Sequence, residues 1–311
     1  MVGSSRVDVT VLGAICLDVK ARPLAPISPN TSNPARLLLS PGGSGRNLAT
    51  NLAMLGVKTA LLSAVGTDMV GQRLVERTAA AGVDVSRVIK SPDVSTGAYL
   101  AIFTDDNQRG YALDDVSQLK LVTPEYVRSH KTLLRNSRMV MMDGNVDTET
   151  VATVLDLVGR HDVRVCMDPV SLHRAFALRP YLSEFYMITP NRVEAEALLD
   201  LTIRSADDAQ DAAGAMVAAG VSVAIITLGE DGLVYATSEA RGRIPAIRCD
   251  VEDWTGAGSA LSAAVVYGML NDMPVDECMR LGVAAATLTL QSAESIYPGM
   301  SLDQLYANMV V

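Results

Sequence analysis

With 311 residues, 49% of them hydrophobic and 20% charged, the chain has enough apolar material for a large core and too much for intrinsic disorder. Its formal charge of -9, with no run of Lys or Arg to offset it, excludes nucleic acid as the natural partner and leaves room for a small anionic metabolite held by backbone amides and a few cations. Cys16, Cys166, Cys249 and Cys278 fall in no CxxC or Cys/His pattern, and no signal-peptide pattern or apolar run of membrane-spanning length is present, so reduced thiols in the cytosol and no membrane partner are expected.

Residues 7–15, VDVTVLGAI, read as a first strand, and the proline-bearing stretch 17–40 fits no helix and reads as extended. An amphipathic helix over 47–55 closes at Gly56, a buried strand follows at 59–66, and a second helix at 70–80. Residues 96–115 read as two strands around an Asp-Asp-Asn turn. Further strands are predicted at 138–144, 163–170, 186–191 and 223–229, with helices at 148–158 and 206–219 and mostly helix from residue 255 onward. Short, continuously apolar strands alternating with amphipathic helices imply an α/β fold: a doubly wound, mainly parallel sheet with helices on both faces. No linker or repeat divides the chain, so one domain over 1–311 is expected. The 17–40 and 96–115 inserts break the rhythm and are expected to pair as a small β lid, with Tyr99, Ala101 and Phe103 on the face toward a substrate.

Two glycine-rich segments carry the chemistry. PGGSGRN at 41–47 precedes a helix, and Gly42 and Gly43 allow backbone to approach a ligand closely. DWTGAGSAL at 253–261 also opens a helix, where Gly256, Ala257 and Gly258 would present successive amides to a transferring phosphoryl group. Neither matches a dinucleotide fingerprint or a P-loop.

This pair of motifs, with TPNRVEAE at 189–196 and TLGEDG at 227–232, resembles the ribokinase-like (PfkB) family of carbohydrate and nucleoside kinases over essentially the whole chain. Within it, PGGSGRNLATNLAMLG and LLSAVGTDMVGQ look like their counterparts in pseudouridine kinases. The resemblance implies an ATP- and Mg²⁺-dependent kinase acting on the primary hydroxyl of a nucleoside or sugar, with pseudouridine the first choice, and a homodimer joined through the lid. By the same resemblance Asp18, Gly42, Gly43, Asn47 and Asn145 would hold the acceptor's hydroxyls. Asn191 and Glu194 would orient Mg²⁺-bound water and the phosphates, Thr227, Gly229 and Gly232 would line the nucleotide, and Asp253 would hold a monovalent cation such as K⁺.

The family reads GAGD, its Asp being the base that takes the proton of the attacking hydroxyl, whereas this chain has Ser259. A serine hydroxyl is no proton acceptor at neutral pH, and the nearby Glu252 and Asp253 would have to reach around the anion hole. Cys16 and Trp254 also replace the family's usual Asn and Thr. A kinase of reduced turnover is therefore one reading, and a nucleoside- or sugar-binding protein acting as a sensor or regulatory partner is the other.

Overall fold

A computed structural model describes residues 7–103 and 109–309. In chain order the strands are β1 (Val9–Leu12), β2 (Cys16–Pro23), β3 (Ala35–Gly42), β4 (Thr59–Gly66), β5 (Val88–Ser91), β6 (Gly97–Phe103), β7 (Arg109–Asp115), β8 (Met139–Asp143), β9 (Arg164–Asp168), β10 (Met187–Ile188), β11 (Val223–Thr227), β12 (Leu233–Ala236) and β13 (Arg241–Ile244). The helices are α1 (Ser44–Met54), α2 (Met69–Ala80), α3 (Pro124–Ser129), α4 (Lys131–Asn136), α5 (Thr148–Val158), α6 (Leu172–Leu178), α7 (Arg192–Leu199), α8 (Ala206–Ala218), α9 (Ala257–Leu270), α10 (Val275–Leu290) and α11 (Leu302–Asn308).

Nine strands form the main sheet in the order β13-β12-β11-β10-β9-β8-β1-β4-β5, parallel from β11 to β5, with β12 and β13 added antiparallel at one edge. Continuous apolarity is explained by cover on both faces. Along β8, Val140 and Met142 enter a core shared with Val151 and Val154 of α5, whereas Met139 and Met141 enter a second core with Leu48 and Leu52 of α1 and Val265 of α9. Alternate residues of one strand thus feed opposite cores, as the strand period of two requires.

The inserts form a separate four-stranded sheet, β3-β2-β6-β7, in which β2 runs antiparallel to β3 and parallel to β6. The expected small lid sheet is present; the expected Asp-Asp-Asn turn falls outside the described residues. Register pairs Asp18 with Tyr99 and Lys20 with Ala101 on its inner face, while Leu37, Leu39, Tyr111 and Leu113 stand exposed on the outer face.

Most elements read from sequence recur within a few residues. The strand expected at 186–191 is shorter, because the chain leaves β10 at Thr189 and Pro190 and caps α7 with Asn191. The expected first strand over 7–15 ends at Leu12, and the chain re-enters strand at Cys16 as part of the lid. The β12–β13 hairpin and the edge strand β5 are too short and, in β13 (RGRI), too charged to be read as strands from pattern alone.

Candidate active site

Connections from β1 run toward β4 on one side, while β8 begins the other half of the sheet. The crevice at the carboxyl ends of β1 and β8 is therefore the topological switch point, where open α/β sheets place their ligands. β8 ends there at Asp143, a fully buried carboxylate that organises its surroundings. Its Oδ2 accepts the backbone N–H of Ala14 at 2.9 Å, that of Gly45 at 2.8 Å and the Ser44 hydroxyl, and its Oδ1 accepts the Asn145 N–H at 2.9 Å. One side chain thereby fixes the end of β1, the first turn of α1 and the exit from β8.

The glycine turn between β3 and α1 is packed against the lid. A Cβ on Gly42 would lie 1.9 Å from Oδ1 of Asp18, and one on Gly43, whose φ is 94°, would lie 2.3 Å from the Ala14 carbonyl oxygen. Both positions accept only glycine without rearrangement. Asp18 is buried on β2 and accepts the Ser295 hydroxyl at 2.5 Å. Burial raises its pKa, while the Ser295 hydrogen bond and the charges of Lys20 and Arg46 pull in the opposite direction. Asn47 accepts a hydrogen bond from the buried Arg46 guanidinium at 3.1 Å, and burial, with repulsion from Arg77, pushes that guanidinium down to about 10. Asn145 donates to the Ser44 hydroxyl at 3.0 Å and accepts from Arg174, which also reaches Asp114 of the lid at 2.9 Å.

Asp18, Gly43, Asn47 and Asn145 line a single cleft of about 440 Å³, and Ser259 and Gly256 form its far wall. Tyr99 reaches this cleft as expected. Ala101 and Phe103 are buried farther along β6 and are not part of the lining, and Phe103 packs beneath the Arg22 guanidinium at 4.5 Å.

At the far wall Gly256 caps α9 with a φ of 89°, and a Cβ there would lie 1.9 Å from the Ser295 carbonyl oxygen. Ala257 and Gly258 begin the helix, so their amides have no partner within it. Behind them a groove of about 160 Å³ is lined by Thr227, Gly229, Gly232, Trp254, Ala257 and Gly258. Trp254 belongs to both cavities, so the amides of the α9 N-terminus stand between the cleft and the groove.

Asn191 and Glu194 form a reciprocal capping box at α7: the Asn191 side chain accepts the Glu194 N–H at 3.0 Å, and the Glu194 carboxylate accepts the Asn191 N–H at 2.9 Å. A bridge between Asn191 and Thr227 sets the pair beside the groove. Burial raises the Glu194 pKa. Asp168, at the end of β9 next to Asp143, is pushed up to about 8 by burial and by repulsion from Glu194 and Asp143. Sequence reasoning passed over Asp143, Asp168, Arg174, Lys20 and Ser295. The signal for the first two was an Asp closing each of two apolar strands, MVMMD and RVCMD. For the other three only the folded contacts reveal a role.

A sequence profile of the pfkB family carbohydrate kinases matches residues 7–301. The chain belongs to that family. The pseudouridine kinase of Escherichia coli K12 is 30% identical over 295 residues, 94% of either chain. A putative sugar kinase from Clostridium perfringens superposes with a TM-score of 0.83 at 29% identity, over 97% of this chain and 95% of that one. A putative ribokinase II from Escherichia coli, solved with ATP and Mg²⁺, shares the fold with a TM-score of 0.84 at 17% identity, over 97% and 98% of the two chains. PfkB kinases are phosphotransferases acting on hydroxyl groups, and this chain is a sugar or nucleoside kinase of that family.

Among the described residues no three His, Cys, Asp or Glu side chains converge as a metal cage. A Mg²⁺ ion held mainly by phosphates and water needs none, and the Glu194 carboxylate, set beside the groove through the Asn191–Thr227 bridge, is of the kind that holds such an ion through water. A dissolved monovalent cation at Asp253 does not fit in the same way, because the Lys20 ammonium already forms an ion pair with that carboxylate.

Proposed function

We propose that this kinase transfers the γ-phosphoryl group of ATP, with Mg²⁺, to the primary hydroxyl of a nucleoside or sugar, with pseudouridine as the leading acceptor. The observation that carries this reading is the shared wall: the acceptor cleft holding Asp18 and Asn47 meets the groove holding Thr227 and Gly229 at the N-terminus of α9. Asp18 and Asn47 would grip vicinal hydroxyls, with Gly42, Gly43 and Asn145 shaping the contact. The amides of Ala257 and Gly258, with Gly256 setting their turn, would stabilise charge on the transferring group. Asn191 and Glu194 would hold Mg²⁺-bound water, Gly232 would border the nucleotide, and Mg²⁺ when bound would neutralise phosphate charge.

Ser259 stands where the proton acceptor of the attacking hydroxyl is required, so turnover should be slow even though binding is retained. The same serine is what favours a second reading, a binding protein that uses the cleft as a metabolite sensor. Four cysteines in no disulfide support action in the cytosol. The exposed Leu37, Leu39, Tyr111 and Leu113 of the lid's outer face support pairing with a second copy of the chain.

A thermal-unfolding screen of nucleosides and sugars, with and without ATP and Mg²⁺, combined with ADP release, tests the reading. Stabilisation by pseudouridine together with slow ADP release is expected. Stabilisation without any release would favour the sensor, and no stabilisation by any nucleoside or sugar would overturn both.

A further inference from the structure

Lysine is almost never fully buried without a partner, and Lys20 is 1% exposed. It lies on the inner face of β2, two residues beyond Asp18, and its ammonium leaves the lid to enter the main domain. There Nζ forms an ion pair with the Asp253 carboxylate and donates to the Ala293 carbonyl at 3.2 Å. The two segments so joined build the phosphoryl end of the cleft. Asp253 accepts the Thr255 N–H at 2.7 Å, one residue before the Gly256 turn, and that turn is pressed against Ser295. Ser295 in turn donates to Asp18. One positive charge therefore neutralises Asp253, ties together the two segments that shape the anion hole, and connects them to the acceptor carboxylate.

We infer that the Lys20 ammonium is a tethered monovalent cation, occupying the place at Asp253 that a dissolved K⁺ would take and making the protein indifferent to monovalent salts. The chemistry supports the exchange. An ammonium and K⁺ carry the same charge and are both satisfied by carboxylate and carbonyl oxygens, and Lys presents a compact point charge on a flexible stem rather than the planar fork of Arg. Attachment to β2 also means that docking the lid strand and filling the cation position are one event. Lys20 acts through the 253–256 turn and is a positioning residue, not a catalytic one. The inference uses the kinase reading only to say what the turn is for.

The test compares wild type with Lys20→Ala and Lys20→Gln in KCl, NH₄Cl, NaCl and choline chloride at equal ionic strength, reading thermal unfolding and calorimetric ADP–Mg²⁺ binding. Wild type should give the same Tm and ADP affinity in all four salts. The variants should lose ADP affinity in choline and regain it in K⁺ or NH₄⁺, with Tm raised by about 2–4 °C relative to choline, as a site roughly tenfold saturated would produce. Lys20→Gln keeps a polar group at the end of the side chain and serves where Lys20→Ala does not fold. A K⁺-specific gain in wild type, or variants weakened equally in all four salts, would overturn the inference. Absence of ADP binding by wild type in every salt would count against the kinase reading, while the Tm comparison would still decide the cation.

Discussion

At the end of the cleft beside the glycine turn, Asp18 lies against Gly42 and takes the Ser295 hydroxyl, and four donors converge on Asp143. At the other end, the first turn of α9 has amides without partners inside the helix, Gly258 borders open space, and a single hydroxyl stands at position 259. The first region is geometry held by buried charge and close packing, so many residues share its upkeep. The second is built from few groups, so on the proposed reading one substitution there changes turnover while shape and binding survive. Lys20, paired with Asp253, is the link that lets the first region support the second.

The largest stability effect should come from Asp143→Ala, which strands several buried donors at once. A loss of about 3 kcal/mol or more is expected in urea unfolding, and a loss within about 0.5 kcal/mol would show that Asp143 does not hold this end of the cleft together. Next comes Asp18→Ala, expected to weaken nucleoside binding by about 1.5–3 kcal/mol in calorimetry while ADP affinity stays as it was. An equal loss at both ligands would erase the distinction between the two ends.

A smaller effect should appear in the pH dependence of stability. The folded pKa of Asp168, about 8, lies above its ordinary value of 3.8, so folding favours its neutral form. That contribution is fully present below pH 3.8 and is lost as pH rises through about 8. Asp168→Asn stays neutral, so its Tm should fall less than that of wild type over this interval. Parallel profiles would show that burial and the neighbouring Glu194 and Asp143 do not hold Asp168 in its neutral form.

Much of this was legible in the sequence, for identifiable reasons. Strands such as TALLSAVG announce themselves because both faces are covered, and PGGSGRN and DWTGAGS announce close backbone approach because glycine is required there. The lid sheet followed from two segments that broke the α/β rhythm. Hidden from the sequence were contacts across long separations. Lys20 finds Asp253 and Ala293, and Ser295 finds Asp18, only after the lid has folded onto the loop following α10. Asp253 was read as a cation ligand because the motif shows the carboxylate but not the lysine that reaches it. Phe103 was read as part of the acceptor wall because strand alternation gives the face of a residue but not how far along the cleft it lies.

On the proposed reading the cleft and groove hold their ligands, and Ser259 is the residue that limits transfer. Position 259 is the third residue of α9, buried at the cleft wall in a helical first turn that favours a carboxylate, so Ser259→Asp should still fold. Steady-state ADP release by the two forms, at saturating ATP, Mg²⁺ and acceptor, is the most direct measurement. On that reading kcat rises by roughly 10²- to 10⁴-fold in Ser259→Asp with nucleotide affinity nearly unchanged. Equal rates in the two forms would contradict it.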